Sequence, residues 1–373
     1  MTARVEFLYL SEEDMIKAGV QDISSCIDII DEVYKIIGQG DYLMGGVNGN
    51  SHGVKLHFPK ESKFKNMPLD GPDRRFMAMV AYLGGRFGIC GEKWYGSNVD
   101  NIEKGLPRSI LMVVLNDAIT GAPLAIMSAN LISSMRTGAS PAVGVRHLGN
   151  KASTRLAAIG AGPISRACIR SILTESKSIT ELVIYDLFED KSKHLIEQME
   201  KEFGVKGIVA KSTEEALKES DIISVAASRL RPVNINPEFL KEGALILQTG
   251  GMTAPDDYWL NSDIVLDNPL MHKAYMEDAK RTGDAENAYK EIMGGNIYSL
   301  VDRKELPDLN EFKTLGEIAL KEETYTRNKK RFTHFISGGQ AVFDLGWSFE
   351  IYKRALEKNI GQKLLLWDKP AGV

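Results

Sequence analysis

The sequence predicts an α/β protein in which a doubly wound parallel sheet is inserted into a second, α+β domain. From Thr154 onward, compact apolar runs alternate with amphipathic segments, which predicts parallel strands joined by helices. The first 150 residues instead show strand-like runs separated by glycine and proline turns, which predicts mixed or antiparallel β-structure. A long amphipathic pattern after about residue 340 predicts a helix that returns to the first domain.

The expected boundaries place residues 1–150 and 340–373 in the α+β domain and residues 151–339 in the doubly wound domain. A helix is predicted near residues 23–37, followed by strands in "KLHFP", "RFMAMVAYLGG", "ICGEKWYGS" and "RSILMVVLND". Thr-Gly between two apolar runs in "NDAITGAPLAIM" predicts a hairpin. In the second domain, we expect strands in "TRLAAIG", "ELVIYD", "GIVA", "DIISVAA", "GALILQTGG" and "SDIVLDN", with helices in "PISRACIRSILTE" and "KSKHLIEQMEKEF".

Composition excludes several classes of protein. The 373 residues are 43% hydrophobic and 26% charged, and the net charge of −4 gives no broad basic surface for nucleic acid. The chain has no run of 18 or more apolar residues, so no membrane-spanning helix is expected, and its start is unlike a secretory signal. Cys26, Cys90 and Cys168 are far apart and the histidines lack zinc spacing. We therefore expect no disulfide framework, no metal and a cytoplasmic location.

The stretch "AIGAGPIS" joins a predicted strand to a predicted helix through a Gly-x-Gly-x-x-Ser turn. Gly160, Gly162, Pro163 and Ile164 would hold a pyrophosphate at the helix N-terminus. Asp186 ends the second strand at the spacing of about 20 residues expected of a ribose-binding acid. Because a carboxylate repels a 2′-phosphate, the pattern predicts NAD rather than NADP. The alternative is a simple βα turn with a surface aspartate.

Lys93 and Arg136 are candidate catalytic residues. Lys93 in "CGEKWYGS" would serve as an acid or base if it faces a pocket, and would discourage aggregation if it lies on an edge strand. Arg136 lies between two helix-like segments and would bind a carboxylate through two parallel hydrogen bonds, aided by a helix that restarts at Ser140 and Pro141. The alternative for Arg136 is packing against a carbonyl group.

Two further glycine turns follow predicted strands, where ligands of open parallel sheets bind. "QTGGMTAPDDYW" places Asp256 and Asp257 just beyond the first turn, and helix N-capping is the favoured role for at least one of them. "HFISGGQAVFD" places Ser337 in the second turn, which is alternatively a loop between domains.

Five motifs occur in a fixed order along nearly the whole chain. They are "KWYGS", "SMRTGA", the "GAGPIS" loop with Asp186, "TGG" and "SGGQAVFD". Together they resemble the ornithine cyclodeaminase/μ-crystallin family. The resemblance implies a Rossmann-type NAD-binding domain inserted into a domain that binds substrate and forms a homodimer.

Within this family, the chain is most similar to siderophore-pathway dehydrogenases that make or split N-carboxyalkyl amino acids, of the aminocarboxyethyl-glutamate type. "AYLGGRFGICGEKWYGS", "LISSMRTGA" and "IYKRALEKNIGQKLLLWD" carry this similarity. It implies that Lys93 is the pocket lysine and that Arg136 binds the substrate carboxylate. Lys55 in "KLHF" stands where the family often has an arginine, and Ser109 and Ser337 resemble lesser pocket residues.

One departure concerns the reaction. Ornithine cyclodeaminases have a catalytic aspartate after the paired glycines, whereas this chain has Met252, which we expect to contact substrate. A thioether neither exchanges a proton nor binds an ammonium by charge. The resemblance therefore implies an NAD-dependent oxidoreductase acting on the Cα–N bond of an amino acid or N-substituted amino acid, as an opine-type dehydrogenase or imine reductase. Its partner would be a small-molecule amino-acid or imine substrate. The alternatives are a cyclodeaminase that uses Asp256 or Asp257, and a non-catalytic, crystallin-like nucleotide-binding protein.

Overall fold

The computed structural model describes residues 4–46, 49, 50, 52–227, 232–321 and 325–371. The chain divides into two compact units. Unit 1 comprises Met1–Asp22, Gly40–Met135 and Gln340–Val373, and unit 2 comprises Ile23–Gln39 and Arg136–Gly339. Unit 2 thus includes an N-terminal helix and residues 136–150, which the sequence-based boundaries assign to the other domain.

Strands of the described residues are numbered in chain order. They are β1 (Val5–Leu10), β2 (Tyr42–Met44), β3 (Val54–His57), β4 (Arg75–Leu83), β5 (Ile89–Ser97), β6 (Ser109–Asp117), β7 (Pro123–Ser128), β8 (Arg155–Ile159), β9 (Glu181–Tyr185), β10 (Lys206–Val209), β11 (Ile222–Val225), β12 (Val233–Asn234), β13 (Leu245–Gln248), β14 (Met252–Thr253), β15 (Ser262–Leu266), β16 (Lys313–Thr314), β17 (Phe332–Ile336) and β18 (Gln362–Trp367).

Helices are numbered in the same way. They are α1 (Glu12–Ala18), α2 (Ile23–Gln39), α3 (Asn130–Leu148), α4 (Pro163–Glu175), α5 (Glu189–Phe203), α6 (Thr213–Leu217), α7 (Asp256–Leu260), α8 (Pro269–Arg281), α9 (Ala285–Tyr289), α10 (Gly295–Asp302), α11 (Leu315–Leu320) and α12 (Ala341–Glu357). Short 3₁₀ turns lie at Val99–Lys104, Pro237–Phe239 and Leu309–Glu311. No helix among these combines the length and hydropathy needed to cross a bilayer.

Helix α2 joins unit 2 through close backbone packing. A Cβ on Gly38 would lie 2.6 Å from the carbonyl carbon of Gly316 in α11, so only glycine permits this approach. The ring of Tyr34 meets Phe335 of β17 edge to face, with centroids 6.3 Å apart. Local patterning predicts the helix, but these partners lie about 300 residues away, so the sequence does not show where the helix packs.

Unit 1 contains a mixed sheet in the order β18-β1-β7-β6-β5-β4-β2, with β3 also paired to β4. The pairs β4–β5, β5–β6 and β6–β7 are antiparallel, and β6–β7 is the predicted Thr-Gly hairpin. Helix α12 packs against β4, β5 and β6. The predicted antiparallel strands are confirmed, whereas the sequence interpretation missed β1, β2 and β18.

The two faces of this sheet differ in burial. On one face of β4 and β5, Met77, Met79 and Lys93 are at most 2% exposed. On the opposite face, large apolar side chains of β4–β6 remain 37–50% exposed, namely Phe76, Val80, Trp94, Ile110 and Met112. A strand with one buried face normally alternates apolar and polar residues, so the second apolar face indicates an interaction surface.

Unit 2 contains a parallel sheet in the order β10-β9-β8-β11-β13-β17-β15-β16. Residues 222–225 of β11 and 245–248 of β13 are buried at every position, as expected for strands covered by helices on both faces. Strand order reverses between β8 and β11, which is the position where open α/β sheets bind ligands. The predicted doubly wound sheet is confirmed.

Candidate active site

The turn after β8 is built for a close approach by a ligand. Gly160 has φ +104°, and a Cβ there would lie 3.2 Å from the carbonyl oxygen of Ala226 after β11. Both the backbone angle and the neighbouring chain therefore favour glycine. A Cβ on Gly162 would meet no atom within 4 Å, so this side of the turn is open to a ligand.

Helix α4 leaves donors available beside this turn. Gly162 is its N-cap and provides no side-chain cap, and Pro163 occupies the first turn. By helix geometry, the N–H groups of Ile164 and Ser165 have no intrahelical acceptor and favour an anion at this end. The Ser165 hydroxyl donates to the Gly160 carbonyl at 2.5 Å. Serine at the last position of the Gly-x-Gly-x-x-Ser turn thus fastens the turn to the helix.

Asp186 follows β9 directly and contacts the same turn. Its Oδ2 accepts a hydrogen bond from the Ala161 N–H at 2.7 Å, and its Oδ1 accepts one from the Phe188 N–H at 2.9 Å. The residue is partly exposed. Each carboxylate oxygen has a further lone pair, so the side chain can brace the turn and still accept hydrogen bonds from a diol.

A buried polar network supports the glycine turn after β13. The Tyr258 hydroxyl is 2.7 Å from His334 Nδ1, and His334 Nε2 is 2.9 Å from Gln248 Oε1. Gln248 Nε2 donates to the Gly250 carbonyl at 3.2 Å. Burial lowers the pKa of His334 from 6.5 to about 3. The imidazole is therefore neutral, with Nε2–H donating to Gln248 and Nδ1 accepting from Tyr258.

This buried histidine predicts a specific acid sensitivity. Because the folded-state pKa is depressed, the unfolded chain binds a proton below pH 6.5 that the folded chain does not bind until about pH 3. The free energy of unfolding should therefore fall by about 1.4 kcal/mol per pH unit in this window, or about 2 kcal/mol at pH 5. Urea unfolding of the native protein and of His334→Gln, between pH 7.5 and pH 5, measures the difference.

The matched control replaces an exposed histidine, in His194→Gln. We expect this control to keep the native pH slope and His334→Gln to have a shallower one. Equal slopes in the native protein and His334→Gln would show that His334 is not the source of acid sensitivity.

Met252 lies in β14, paired with Val233 of β12, and is 5% exposed. Its side chain belongs to the apolar core of unit 2 and also lines a cavity of about 280 Å³. Asp256 lines the same cavity and accepts a hydrogen bond from Arg303 Nη2 at 2.5 Å. A role for Met252 in substrate contact remains a prediction.

The favoured N-capping role for Asp256 or Asp257 is wrong. Pro255 is the N-cap of α7, and both aspartates lie in the first helical turn. Their carboxylates there favour the helix through its dipole.

Arg136 lies inside a continuous helix, so the predicted restart at Ser140 and Pro141 is wrong. Helix α3 runs from Asn130 to Leu148 with Pro141 in its interior. An interior proline costs a helix about 3 kcal/mol, but Ala139 and Ala142 on either side are fully buried. We infer that this packing offsets the cost. Arg136 itself is 6% exposed.

Arg136 and Ser337 lie near residues that the sequence interpretation missed. Burial and the charge of Asp267 raise the pKa of the Tyr34 hydroxyl, while hydrogen bonds with Ser140 and Ser337 and the charge of Arg136 oppose the rise. Ser140 Oγ lies 2.5 Å from Ser337 Oγ. Tyr34 is an ordinary core residue of an amphipathic helix in sequence terms, so no local signal marks it.

Lys93 lies in unit 1 and is paired with a residue far along the chain. Its Nζ donates to Asp344 Oδ2 of α12 at 2.7 Å, and both side chains are buried. Strand β5 lies between β4 and β6, so the edge-strand interpretation is wrong. Asp344 supplies the opposite charge that a buried ammonium requires.

Lys55 and Ser109 share the sheet face of Lys93 by register, because residues directly opposite in antiparallel strands project to the same side. Lys55 pairs with Met77 on β4, and Ser109 pairs with Ser97, with their hydroxyl oxygens 2.5 Å apart. Lys55 is exposed.

The sequence pattern did not indicate that Arg75 and Tyr95 also lie on this face. Arg75 lies opposite Ser97, and its guanidinium carbon is 5.7 Å from the centroid of the Tyr95 ring. Lys93 Nζ is 5.8 Å from the same centroid. The face therefore combines hydroxyl groups with two cationic groups, of which Arg75 is paired with Asp73 and Lys93 with Asp344.

Comparison with known proteins was made on the sequence and on the fold. A family model described as ornithine cyclodeaminase/mu-crystallin matches residues 20–359. N-((2S)-2-amino-2-carboxyethyl)-L-glutamate dehydrogenase of Staphylococcus aureus is 24% identical over 366 residues, covering 97% of this chain and 99% of the relative.

Two solved structures share the fold. An archaeal alanine dehydrogenase dimer with bound NAD has a TM-score of 0.76 at 23% identity, covering 97% of this chain and 100% of that one. Thermococcus litoralis Δ1-pyrroline-2-carboxylate reductase in complex with NADH and L-proline has a TM-score of 0.75 at 24% identity, covering 96% of this chain and 100% of that one.

Proposed function

The chain belongs to the ornithine cyclodeaminase/mu-crystallin family, and on this premise we propose that it is an NAD(H)-dependent oxidoreductase acting on the Cα–N bond of an amino acid or N-substituted amino acid. The observation that carries the proposal is the open turn at Gly160–Pro163, braced by Asp186. The Staphylococcus aureus relative is a dehydrogenase of an N-substituted amino acid, and the two structural neighbours are complexes with NAD or NADH.

The residues at the turn after β8 fit a dinucleotide. The N-terminus of α4 would hold the pyrophosphate and Asp186 the ribose hydroxyls. When bound, the nicotinamide supplies a hydride acceptor in the oxidative direction and a hydride donor in the reductive one.

The remaining chemistry falls to side chains of the protein. Arg136 would bind the substrate α-carboxylate through its planar fork. Oxidation of the Cα–N bond removes a hydride from Cα and a proton from nitrogen, and Lys93 would move that proton. Water then adds to the imine carbon and the C–N bond breaks, giving a 2-oxo acid and an amine. Condensation followed by reduction is the same sequence reversed.

The test is turnover by the purified protein. Incubation with NAD and a panel of amino acids and N-carboxyalkyl amino acids should produce NADH, with products identified by mass. The reverse assay supplies NADH, a 2-oxo acid and an amine. Omitting the amine is the control, because a simple 2-oxo acid reductase would not need it.

The same assay separates the rival functions. Proline and ammonia from ornithine would indicate a cyclodeaminase, which Met252 argues against because it cannot hold the side-chain ammonium. NADH binding without turnover of any amino or oxo acid would indicate a crystallin-like binding protein.

Asp186 should set the cofactor preference. We expect tighter binding of NADH than of NADPH, because the carboxylate repels the 2′-phosphate. Asp186→Ser keeps one oxygen acceptor for the turn but removes the charge, so the preference should fall by roughly tenfold, or about 1.4 kcal/mol. Fluorescence titration with both cofactors measures it.

Asp190→Ser is the matched control, because it removes an exposed carboxylate in the first turn of α5. It should leave the preference unchanged. Comparable affinities of the native protein for NADH and NADPH would overturn the assignment of Asp186 to the ribose.

The exposed apolar face of β4–β6 supports a homodimer. Trp94 and Phe76 stack there with ring centroids 5.6 Å apart, and both remain more than a third exposed. The archaeal alanine dehydrogenase structure is a dimer. Light scattering should give twice the chain mass of 41.3 kDa, and Trp94→Glu should shift it toward one chain. A native monomer would contradict this.

The proposal also includes the cellular compartment in which the protein acts. Cys26, Cys90 and Cys168 form no disulfide in the part of the chain that the structure describes. Reduced cysteines are typical of the cytoplasm, where we propose that the protein acts.

A further inference from the structure

A wholly buried carboxylate, Asp267, lies at the ligand-binding edge of the parallel sheet in unit 2. It follows β15 directly and is 0% exposed. Leu266 at the end of β15 pairs with Ile336 at the end of β17, so the chain leaves both strands at the same edge. Because ligands of open parallel sheets bind at this edge, Asp267 lies beside a turn, beginning at Ser337, that can meet one.

Asp267 holds that turn through its backbone. The Gly338 N–H donates a hydrogen bond to Asp267 Oδ2 at 2.5 Å. The Ser337–Gly338 peptide is trans, so the Ser337 carbonyl points away from Asp267. A carboxylate only accepts hydrogen bonds, so this peptide cannot turn over without losing the contact. Asp267 therefore sets the direction of the Ser337 carbonyl.

Donors on the other oxygen hold the carboxylate itself in place. Asp267 Oδ1 accepts the Asn268 N–H at 2.7 Å and lies 2.8 Å from His272 Nε2. Because the carboxylate only accepts, Nε2 carries a hydrogen. His272 Nδ1 lies 2.6 Å from the Tyr298 hydroxyl oxygen. His272 of α8 thus braces Asp267, and Tyr298 of α10 contacts the far side of the same imidazole ring.

The start of α8 does not need the Asp267 carboxylate as its cap. The Asn268 side chain is the N-cap, and its Oδ1 accepts the N–H groups of Leu270 at 3.1 Å and Met271 at 3.4 Å. Asp267 Oδ2 is instead directed to the turn after β17. A Cβ on residue 338 would lie 3.3 Å from this oxygen, so the turn and the carboxylate are in close contact.

The strand order indicates which part of a dinucleotide this turn would meet. The order β10-β9-β8-β11-β13-β17 corresponds to the order 3-2-1-4-5-6 of dinucleotide-binding sheets, in which each set of three strands binds one mononucleotide. The turn after β8 belongs to the first half, where Asp186 would bind the adenosine ribose. The turn after β17 belongs to the second half, which would receive the nicotinamide.

We propose that Asp267, braced by His272, is a positioning residue that fixes the Ser337–Gly338 turn for the nicotinamide half of the cofactor. This inference rests on the proposed function, which requires NAD(H). Asp267 and His272 act through the backbone of the turn and touch neither cofactor nor substrate. Binding of the adenosine half should therefore be insensitive to both residues.

The test compares two ligands that differ at the nicotinamide ring, which NADH carries and ADP-ribose lacks. Asp267→Asn cannot satisfy all of the donors around the carboxylate, because an amide offers a single oxygen acceptor. We expect the dissociation constant of NADH to rise by about tenfold, as for a lost hydrogen bond to a charged group. The dissociation constant of ADP-ribose should stay within about twofold. Calorimetric titration measures both.

Two variants of His272 test the same inference with Asp267 intact. His272→Leu removes the donor to Asp267 and should also weaken NADH binding selectively. His272→Gln retains an amide donor and should recover most of that loss. The matched control is Asp263→Asn, at the opposite end of β15, where Asp263 Oδ1 accepts from Arg331 Nε at 2.9 Å. It should leave both dissociation constants unchanged.

The contrary results are distinct. Equal losses of NADH and ADP-ribose affinity would overturn the inference, as would native NADH affinity in Asp267→Asn or a His272→Gln protein no better than His272→Leu. If Asp267→Asn does not fold, the two His272 variants decide by the same criteria. Failure of the native protein to bind NADH would instead contradict the proposed function. Native NADH binding without the selective loss leaves that function standing and removes only the role of Asp267.

Discussion

Replacing Lys93 with methionine is expected to lower the free energy of unfolding by about 3–5 kcal/mol, because it removes the positive charge that is paired with the buried Asp344 carboxylate. Asp344 is wholly buried, and its Oδ2 lies 2.7 Å from the lysine nitrogen. Adding Asp344→Leu should restore most of this loss, since an apolar pair of similar volume often matches a buried ion pair in stability. Chemical denaturation of the native protein and both variants measures the effect.

Turnover of the same variants should distinguish a catalytic role of Lys93 from a purely structural one. If Lys93 moves the proton at substrate nitrogen, the stable Lys93→Met/Asp344→Leu protein should still lose about 10²- to 10⁴-fold in kcat. Lys193→Met is the control, because Lys193 pairs with Glu189 and Asp190 at exposed positions. It should keep the native unfolding midpoint and kcat. Native turnover in the double variant would make Lys93 a purely structural residue.

Replacing Arg136 with lysine should lower kcat/KM by about ten- to a hundredfold although the charge is unchanged. Lysine lacks the planar two-bond fork, and losing one charge-assisted hydrogen bond at a buried site costs on the order of 1.5–3 kcal/mol. Steady-state kinetics with the best substrate of the panel provide the measurement. We expect the thermal stability of Arg136→Lys to stay near that of the native protein, so the loss of kcat/KM would not result from unfolding.

Arg146 provides a control on the same helix. It binds both oxygens of Glu175, at 3.0 and 2.7 Å, and so presents the same fork to a carboxylate of the protein. Arg146→Lys should therefore affect stability without affecting kcat/KM. Normal kinetics in Arg136→Lys would favour the alternative that Arg136 packs against a carbonyl group.

Sequence patterns predicted the elements that depend mainly on residues close together in the chain. Helix α4 spans Pro163–Glu175, as its apolar spacing and N-terminal proline indicate. The turn at Gly160 was recognisable because it contains a glycine. The structure requires one at this position, since residue 160 has a positive φ and lies close to a neighbouring chain segment. The buried parallel strands were recognisable from continuous apolar runs of strand length.

The remaining features depend on partners distant in sequence. Asp344 is 251 residues from Lys93 and lies in an amphipathic helix where an acidic residue normally faces solvent. Pro141 indicated a helix break, but burial of its neighbours outweighed that local preference. Strand β18 is exposed at every position, so it has no alternating burial pattern to mark its pairing with β1.

The pairing of β1 with β18 determines which unit can fold first during synthesis of the chain. Tyr9 of β1 lies opposite Gln362 of β18, so the sheet of unit 1 lacks a strand until residues 362–367 have left the ribosome. All segments of unit 2, by contrast, have been synthesised once residue 339 emerges. Joining such distant segments costs only slightly more entropy than joining nearer ones, but it delays folding. Unit 2 is thus the first part of the nascent chain that can complete its fold. The apolar strands of unit 1 remain incompletely paired for longer, which exposes them to aggregation and to chaperone binding.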